Sequence, residues 1–299
     1  MIFNTSTLGY KLLSGQLRKN RKHSEQLNKY LAGYIDGDGC FSIGFKKRQD
    51  GFYGVRVRCL VSSGFNIDCD GQLLRAFRDF YNLGSITIIE KKNPKHHPIT
   101  VWELGCKDTQ ILFNRIGKHL RVKGTHAENL IWLYNNLKDI DLTKDHIKEL
   151  REFSDCSRKN SKWLKHPKHP SWAWVAGMVD SDGSLQYSIR YRKDRKNPSN
   201  VLLIAVTAAE KDEHIINFLH KAFRGRVRHQ EKLKAYTWER ALGKQNEKFA
   251  LPFLKKLRKY SCIPHKYTKI NEMIKFHEDN KLQRLSAKHS KRVNDSPNN

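Results

Sequence analysis

One short pattern occurs twice in this chain and constrains its fold more than any other feature. Residues 32–39 read Ala-Gly, two apolar residues, Asp, a small residue, Asp and Gly, and residues 176–183 repeat that order. Each copy closes a helical apolar pattern, and the alternation typical of a strand follows it. A repeated acidic turn predicts two matching halves that bring their carboxylates together at one site.

The repeat extends from the acidic turns to whole units of secondary structure. After each turn the pattern predicts two strands, a helix, two more strands and a final helix. We therefore expect an α+β protein of two pseudo-symmetric αββαββα units. The predicted segments are a basic leader (1–24), a first unit (25–153), a linker (154–171), a second unit (172–279) and a basic tail (280–299). The leader fits a transit peptide, a DNA-binding arm or a disordered segment, and the tail favours disorder because it has little to bury.

Small residues in the two motif helices predict how the halves meet. Ala32 and Gly33 leave a bare patch on the first helix, and Ala176 and Gly177 leave one on the second. Two bare patches let helix backbones approach closely, so we expect the motif helices to pack against each other at the interface. The negative ends of both helix dipoles would then carry four neighbouring carboxylates: Asp36, Asp38, Asp180 and Asp182.

Clustered carboxylates of this kind predict a bound cation. Mg²⁺ suits them, because it binds through one or two carboxylates, water and phosphate oxygens. Two such ions beside a scissile phosphate generate hydroxide and stabilise the leaving oxygen. A calcium-binding EF-hand is excluded, because a loop starting at Asp36 has Phe41 and Lys47 where Gly and Glu are required. A purely structural Asp-x-Asp-Gly cap is the alternative, and the recurrence of the pattern argues against it.

The charge of the chain indicates a polyanionic partner. Its 57 Lys and Arg residues outnumber 30 Asp and Glu residues, which gives a net charge of +27. Alternation along the predicted strands places polar and basic side chains on one face, where they suit the major groove of DNA; a solvated sheet face is the alternative. These side chains are Ser42, Lys46, Arg48, Arg56, Arg58, Gln186, Ser188, Arg190 and Arg192.

Two lysines follow the motifs at almost the same distance. Lys123 and Lys266 come 85 and 84 residues after the last Asp of their motifs. A lysine beside the acids would orient water or stabilise developing charge, although lysines are so common here that coincidence explains the spacing as well. No Cys/His spacing suits zinc and no apolar run reaches the length of a membrane span, so we expect a soluble protein with reduced thiols.

The motifs resemble those of a known family. Residues 31–39, Leu-Ala-Gly-Tyr-Ile-Asp-Gly-Asp-Gly, closely resemble the defining motif of the LAGLIDADG homing endonucleases, and residues 175–183 resemble a looser second copy. Two motifs in one chain are similar to the monomeric, pseudo-symmetric branch of the family. The resemblance implies that Asp38 and Asp182 are catalytic acids and metal ligands. It also implies that the carbonyls of Gly37 and Ser181 help to hold metal, with the two lysines assisting.

The resemblance further implies an activity and a setting. The family cuts both strands of double-stranded DNA across the minor groove of a long asymmetric site and leaves short 3′ overhangs. The implied cofactor is Mg²⁺, as two or more divalent ions with Mn²⁺ as a substitute, and the DNA lies on saddle-shaped β-sheets. Many such proteins are encoded in group I introns of mitochondria or chloroplasts. The alternative function is an RNA-binding maturase that helps its own intron to splice; the presence of both acids favours cleavage, and also disfavours a catalytically silent DNA-binding protein.

Overall fold

The computed structural model describes residues 7–16, 21–63, 70–90, 98–159, 170–190, 199–209, 213–241 and 247–294. The helices are α1 (Leu8–Leu13), α2 (Arg21–Asp38), α3 (Asp70–Tyr81), α4 (Cys106–Ile116), α5 (Gly124–Leu137), α6 (Lys144–Lys159), α7 (Trp172–Asp182), α8 (Glu213–Phe223), α9 (Glu247–Tyr260) and α10 (Pro264–Asn294). The strands are β1 (Gly39–Lys47), β2 (Tyr53–Ser63), β3 (Ser85–Ile89), β4 (Ile99–Leu104), β5 (Gly183–Arg190), β6 (Ser199–Ala209), β7 (Arg226–Gln230) and β8 (Ala235–Ala241).

The two halves have the same topology. The first forms a four-stranded sheet in the order β1-β2-β4-β3, and the second forms a sheet in the order β5-β6-β8-β7. Every neighbouring pair is antiparallel, and the long first hairpin of each sheet starts directly after a motif helix. The predicted α+β architecture of two αββαββα units is confirmed.

Alternating side chains explain which face of each sheet is buried. In β2, Val55 and Val57 are buried while Arg56 and Arg58 between them are exposed. Successive strand residues point to opposite faces, so the valines pack under the helices and the arginines lie on the uncovered face. Among the described residues, helices therefore pack on one face of each sheet and leave the other face uncovered.

The two motif helices, α2 and α7, form the interface between the halves. A Cβ atom at Gly33 would lie 2.0 Å from the carbonyl oxygen of Trp174, and one at Gly177 would lie 2.0 Å from that of Tyr30. Ala32 and Ala176 are almost fully buried beside them. Only glycine permits backbones to touch in this way, so the predicted packing of α2 on α7 is what the structure has.

Helices lie within the described parts of the predicted leader and tail. Within the predicted leader, the Thr7 side chain accepts from the Tyr10 amide and caps α1, which buries Leu8 and Leu12 in the core. At the other end α10 continues to Asn294, because no Pro or Gly interrupts the sequence between Pro264 and Asn294. Helix α6 occupies the beginning of the predicted linker, and residues 160–169 lie outside the described residues.

Among the described residues, no helix has a stretch long and apolar enough to cross a lipid bilayer.

Candidate active site and DNA-binding surface

The last Asp of each motif ends its helix at the junction of the two halves. Asp38 is the final residue of α2 and Asp182 that of α7, and both are partly exposed. A Cβ atom at Gly37 would lie 2.0 Å from the Ser181 hydroxyl and 3.1 Å from an Asp182 carboxylate oxygen. The two acidic ends therefore meet. They border a cavity of about 480 Å³ whose lining includes Asp38, Ser181, His265 and Lys266.

The first Asp of each motif is not part of an open acidic cluster, and that prediction was wrong. The Asp36 carboxylate is buried and accepts backbone N–H bonds from Arg121 (2.7 Å), Val122 (3.2 Å) and Lys123 (3.0 Å). Each residue of an α-helix is rotated by about 100° from the one before it, so residues two apart point in nearly opposite directions. Asp36 and Asp38 consequently face different sides of α2. Asp36 is buried, and only Asp38 of the two stays partly exposed beside the end of α7.

Asp180 has the matching environment in the second half. It is buried and accepts from the amides of Cys262 (2.7 Å) and Ile263 (3.3 Å) and from the Ser261 hydroxyl (2.8 Å). Burial raises the pKa of Asp180, as it does for Asp36, and these hydrogen bonds oppose the shift. Both carboxylates anchor the segment that begins a following helix, α5 or α10, against a motif helix.

A reciprocal pair of hydrogen bonds joins the halves beside these carboxylates. The Trp174 indole of α7 donates to Asp36 of α2 at 2.9 Å, and the Tyr30 hydroxyl of α2 donates to Asp180 of α7 at 2.7 Å. The sequence analysis missed both donors. The signal was available, since Tyr30 and Trp174 each lie six residues before the first Asp of their motif.

The two predicted lysines hold the C-terminal ends of the motif helices. The Lys123 ammonium donates to the carbonyl oxygens of Ile35 (2.9 Å), Gly37 (2.6 Å) and Gly39 (2.7 Å). The Lys266 ammonium donates to the carbonyls of Val179 (3.4 Å) and Gly183. A cation here complements the negative end of the helix dipole, so each lysine steadies the turn that carries the last Asp of its motif.

The oxygen donors at the junction fit Mg²⁺. Mg²⁺ binds through one or two carboxylates and keeps waters or substrate phosphates as its other ligands, and Asp38 and Asp182 supply that number. In the described part of the chain, no three His, Cys, Asp or Glu residues come together as a closed metal site would require. The Gly37 carbonyl already accepts from Lys123, and a carbonyl oxygen has a second lone pair for a metal or water.

Most predicted DNA-binding residues of the first half lie on the uncovered sheet face. Lys46, Arg56 and Arg58 are exposed, and Ser42 pairs across the strands with Arg58. Arg48 differs, because its guanidinium forms ion pairs with Asp50 and Asp141.

Only some of the predicted DNA-binding side chains of the second half lie among the described residues. Gln186 is exposed on β5. Ser188 and Arg190 also belong to β5, where their backbones pair with Val201 and Ser199, but their side chains are outside the described residues. Arg192 likewise lies outside the described residues.

The outer strand β7 carries polar residues that the sequence analysis missed. Arg226 and Arg228 are exposed, and Gln230 donates to the Thr237 hydroxyl at 2.7 Å. That hydroxyl is also 3.0 Å from the Thr207 hydroxyl. The signal was the alternation of Arg226, Arg228 and Gln230 with residues of the other face, which is the pattern already used for the longer strands.

Comparisons with known proteins agree with this fold. The sequence model of the LAGLIDADG endonuclease family matches residues 31–121. The structure is similar to the homing endonuclease I-GzeII in complex with a DNA target, with a TM-score of 0.62 and 19% identity over 86% of this chain and 91% of that one. The first half of the chain therefore matches the LAGLIDADG endonuclease model, and the fold of the chain is that of a LAGLIDADG homing endonuclease structure.

Two further LAGLIDADG structures have the same two-domain fold. I-AabMI bound to uncleaved DNA has a TM-score of 0.60 at 18% identity and covers 86% of this chain and 92% of its own. I-SmaMI bound to cleaved DNA has a TM-score of 0.59 at 16% identity, with coverages of 86% and 90%. No curated protein sequence matches the chain significantly.

Proposed function

We propose that this protein is a site-specific, Mg²⁺-dependent endonuclease that cuts both strands of double-stranded DNA. The observation that carries the proposal is the meeting of Asp38 and Asp182 at the ends of two packed helices. Each acid lies where an uncovered sheet face begins. The DNA complexes of I-GzeII and I-SmaMI support this assignment, as does the net charge of +27.

The residues of the site divide the work between the two DNA strands. Pseudo-symmetry gives each strand one carboxylate, Asp38 or Asp182, as a ligand for divalent metal. When bound, the metal ions lower the pKa of a water and neutralise charge on the scissile phosphate. Lys123 and Lys266 keep each acid in place by holding the carbonyl ends of the motif helices, and their ammonium groups strengthen the positive potential that the phosphates meet.

The position of the acids predicts the geometry of the cut. Both acids lie at one junction between two sheets whose faces extend away from it, so the junction would meet the DNA at the centre of its target. One acid serves each strand, and the family resemblance implies that the two cuts fall across the minor groove and leave short 3′ overhangs. Because the side chains on the two faces differ, the target is long and asymmetric, and one chain acting as a monomer covers it. The family resemblance alone supports an organellar location.

The test is a comparison of the wild-type protein with Asp38→Asn, Asp182→Asn and the double variant. Target sites are first selected from randomised duplexes, and the selected duplex is then offered in a plasmid with Mg²⁺. Each single variant should lose cutting of at least one strand by about 10³-fold or more, while binding of the site stays within about threefold. Asp79→Asn is the matched control, because Asp79 pairs with Arg78 on the outside of α3, away from the junction.

Two results would contradict the proposal. If Asp38→Asn and Asp182→Asn both cut at the wild-type rate, the assigned acids are not catalytic. If the wild-type protein cuts no selected duplex but binds its intron transcript tightly, the protein is a maturase. Replacement of Mg²⁺ by Mn²⁺ should preserve cutting, and a chelator should abolish it.

A further inference from the structure

Equivalent glutamates lie at the same place in the two sheets. Glu103 on β4 and Glu239 on β8 each follow a fully buried tryptophan, so both point to the uncovered face. Glu103 pairs with Leu60 on one side and Ser85 on the other, and the register of Glu239 is the same, with Ala205 and Arg226 as its neighbours.

Each glutamate holds one arginine, but the two arginines lie on opposite sides. Glu103 forms an ion pair with Arg58 of the inner strand β2 at 3.4 Å. Glu239 forms one with Arg228 of the outer strand β7 at 2.9 Å. Both arginines stay accessible, with side chains 45% and 48% exposed.

The register shows that these arginines are not related by the pseudo-symmetry. Val61 pairs with Gly39 as Val206 pairs with Gly183, so the counterpart of Arg58 is Leu203. Trp102 pairs with Ile86 as Trp238 pairs with Val227, so the counterpart of Arg228 is Thr87. The arginine that pairs with the glutamate thus lies on the inner strand β2 in the first sheet and on the outer strand β7 in the second.

We propose that Arg58 and Arg228 each read a guanine, at positions of the two half-sites that are not mirror images. The proposal rests on the proposed function, since it assumes that the sheet faces lie in the grooves of a DNA target. Arginine donates two parallel hydrogen bonds to O6 and N7 of guanine in the major groove. A carboxylate that holds the guanidinium reduces the rotamer freedom lost on binding. Neighbouring strands are about 4.8 Å apart, and the counterpart of β2 in the second sheet is β6 rather than β7. The two arginines therefore reach base pairs at different distances from the centre of the target.

The experiment is selection of bound sequences from randomised duplexes without divalent metal. It compares the wild-type protein with Arg58→Ala and Arg228→Ala. Each variant should lose guanine preference at one position, in a different half-site, by about 5- to 150-fold. Preferences elsewhere should persist. Arg78→Ala is the matched control, because Arg78 is a similarly exposed, ion-paired arginine on helix α3.

An exchange variant tests the position directly. Arg58→Leu combined with Thr87→Arg copies the arrangement of the second half into the first. It should move the guanine preference of the first half-site to the position that mirrors the one read by Arg228.

The outcomes separate this inference from the proposed function. If Arg58→Ala and Arg228→Ala weaken binding equally on all sequences, the arginines contact phosphate and the inference is wrong. If Arg58→Ala and Arg228→Ala select the same guanines as the wild-type protein, the inference is also wrong, but the endonuclease assignment stands. If the wild-type protein enriches no sequence at all, both fall.

Discussion

Replacing Gly33 with alanine probes the contact on which the whole two-domain arrangement depends. The added Cβ would lie 2.0 Å from the Trp174 carbonyl oxygen, whereas ordinary contacts begin at 3.4 Å. Because the obstacle is backbone, it cannot turn aside as a side chain would. Helices α2 and α7 would have to separate by about 1.4 Å, the difference between those two distances.

The cost of that separation has two parts. Overpacking of a close-packed interior costs about 1–3 kcal/mol. The hydrogen bond from the Trp174 indole to the buried Asp36 carboxylate (2.9 Å) would also stretch, and a bond to a charged group contributes about 1.5–3 kcal/mol. We therefore expect Gly33→Ala to lower the free energy of unfolding by about 3–5 kcal/mol, a large part of the total for a protein of this size.

Urea denaturation followed by tryptophan fluorescence measures this loss as a fall in the midpoint Cm. Gly54→Ala is the control, because a Cβ at Gly54 meets no atom within 4 Å. Gly177→Ala should behave like Gly33→Ala, since its Cβ would lie 2.0 Å from the Tyr30 carbonyl oxygen. If Gly33→Ala unfolds within about 0.5 kcal/mol of the Gly54→Ala control, the close approach of the helices is refuted.

Three other predictions concern the same framework and its charge. Trp174→Phe should destabilise the protein by about 2 kcal/mol, because it removes a hydrogen bond to the buried Asp36; an unchanged urea midpoint would mean that the bond is not formed. Burial lowers the pKa of His126 below its ordinary 6.5. The unfolded chain thus takes up the proton first, and stability that is complete above pH 6.5 should decline as the pH falls. His126→Gln should flatten that decline in urea titrations at pH 5 to 7, and an identical slope would exclude His126 as a source. Affinity for the selected duplex should fall about 10³-fold between 50 and 200 mM salt if six or more phosphates are neutralised, whereas a flat response would remove the argument from net charge.

The sequence predicted the repeated architecture well because its signals are local. The alternation in β2 and the small residues of α2 each depend on neighbours within a few positions, and the structure has both features as predicted. Helix α1 was not among the predicted elements. A short segment such as α1 is stabilised by burying Leu8 and Leu12 against distant elements. Its own composition does not indicate that these partners exist.

The site shows where local reasoning ends. Two Asp residues in a motif copy look alike in the sequence, yet helix geometry sends Asp38 to the junction and Asp36 into the interior. The partners of Asp36 lie 85 to 138 residues away. The exchange of the glutamate-held arginine between β2 and β7 was equally hidden, because strand register relates Arg58 to Leu203 and Arg228 to Thr87.

By itself, the sequence determined that this chain has two copies of one α+β unit, helices able to touch, paired acids and an excess of positive charge. These properties follow from residue type and periodicity, which act over a few residues. Only the tertiary structure decided which acid is buried, what the lysines hold and which arginine each glutamate presents. Those outcomes depend on direction and distance between segments far apart in the chain, and only the folded packing of helices and strands sets them.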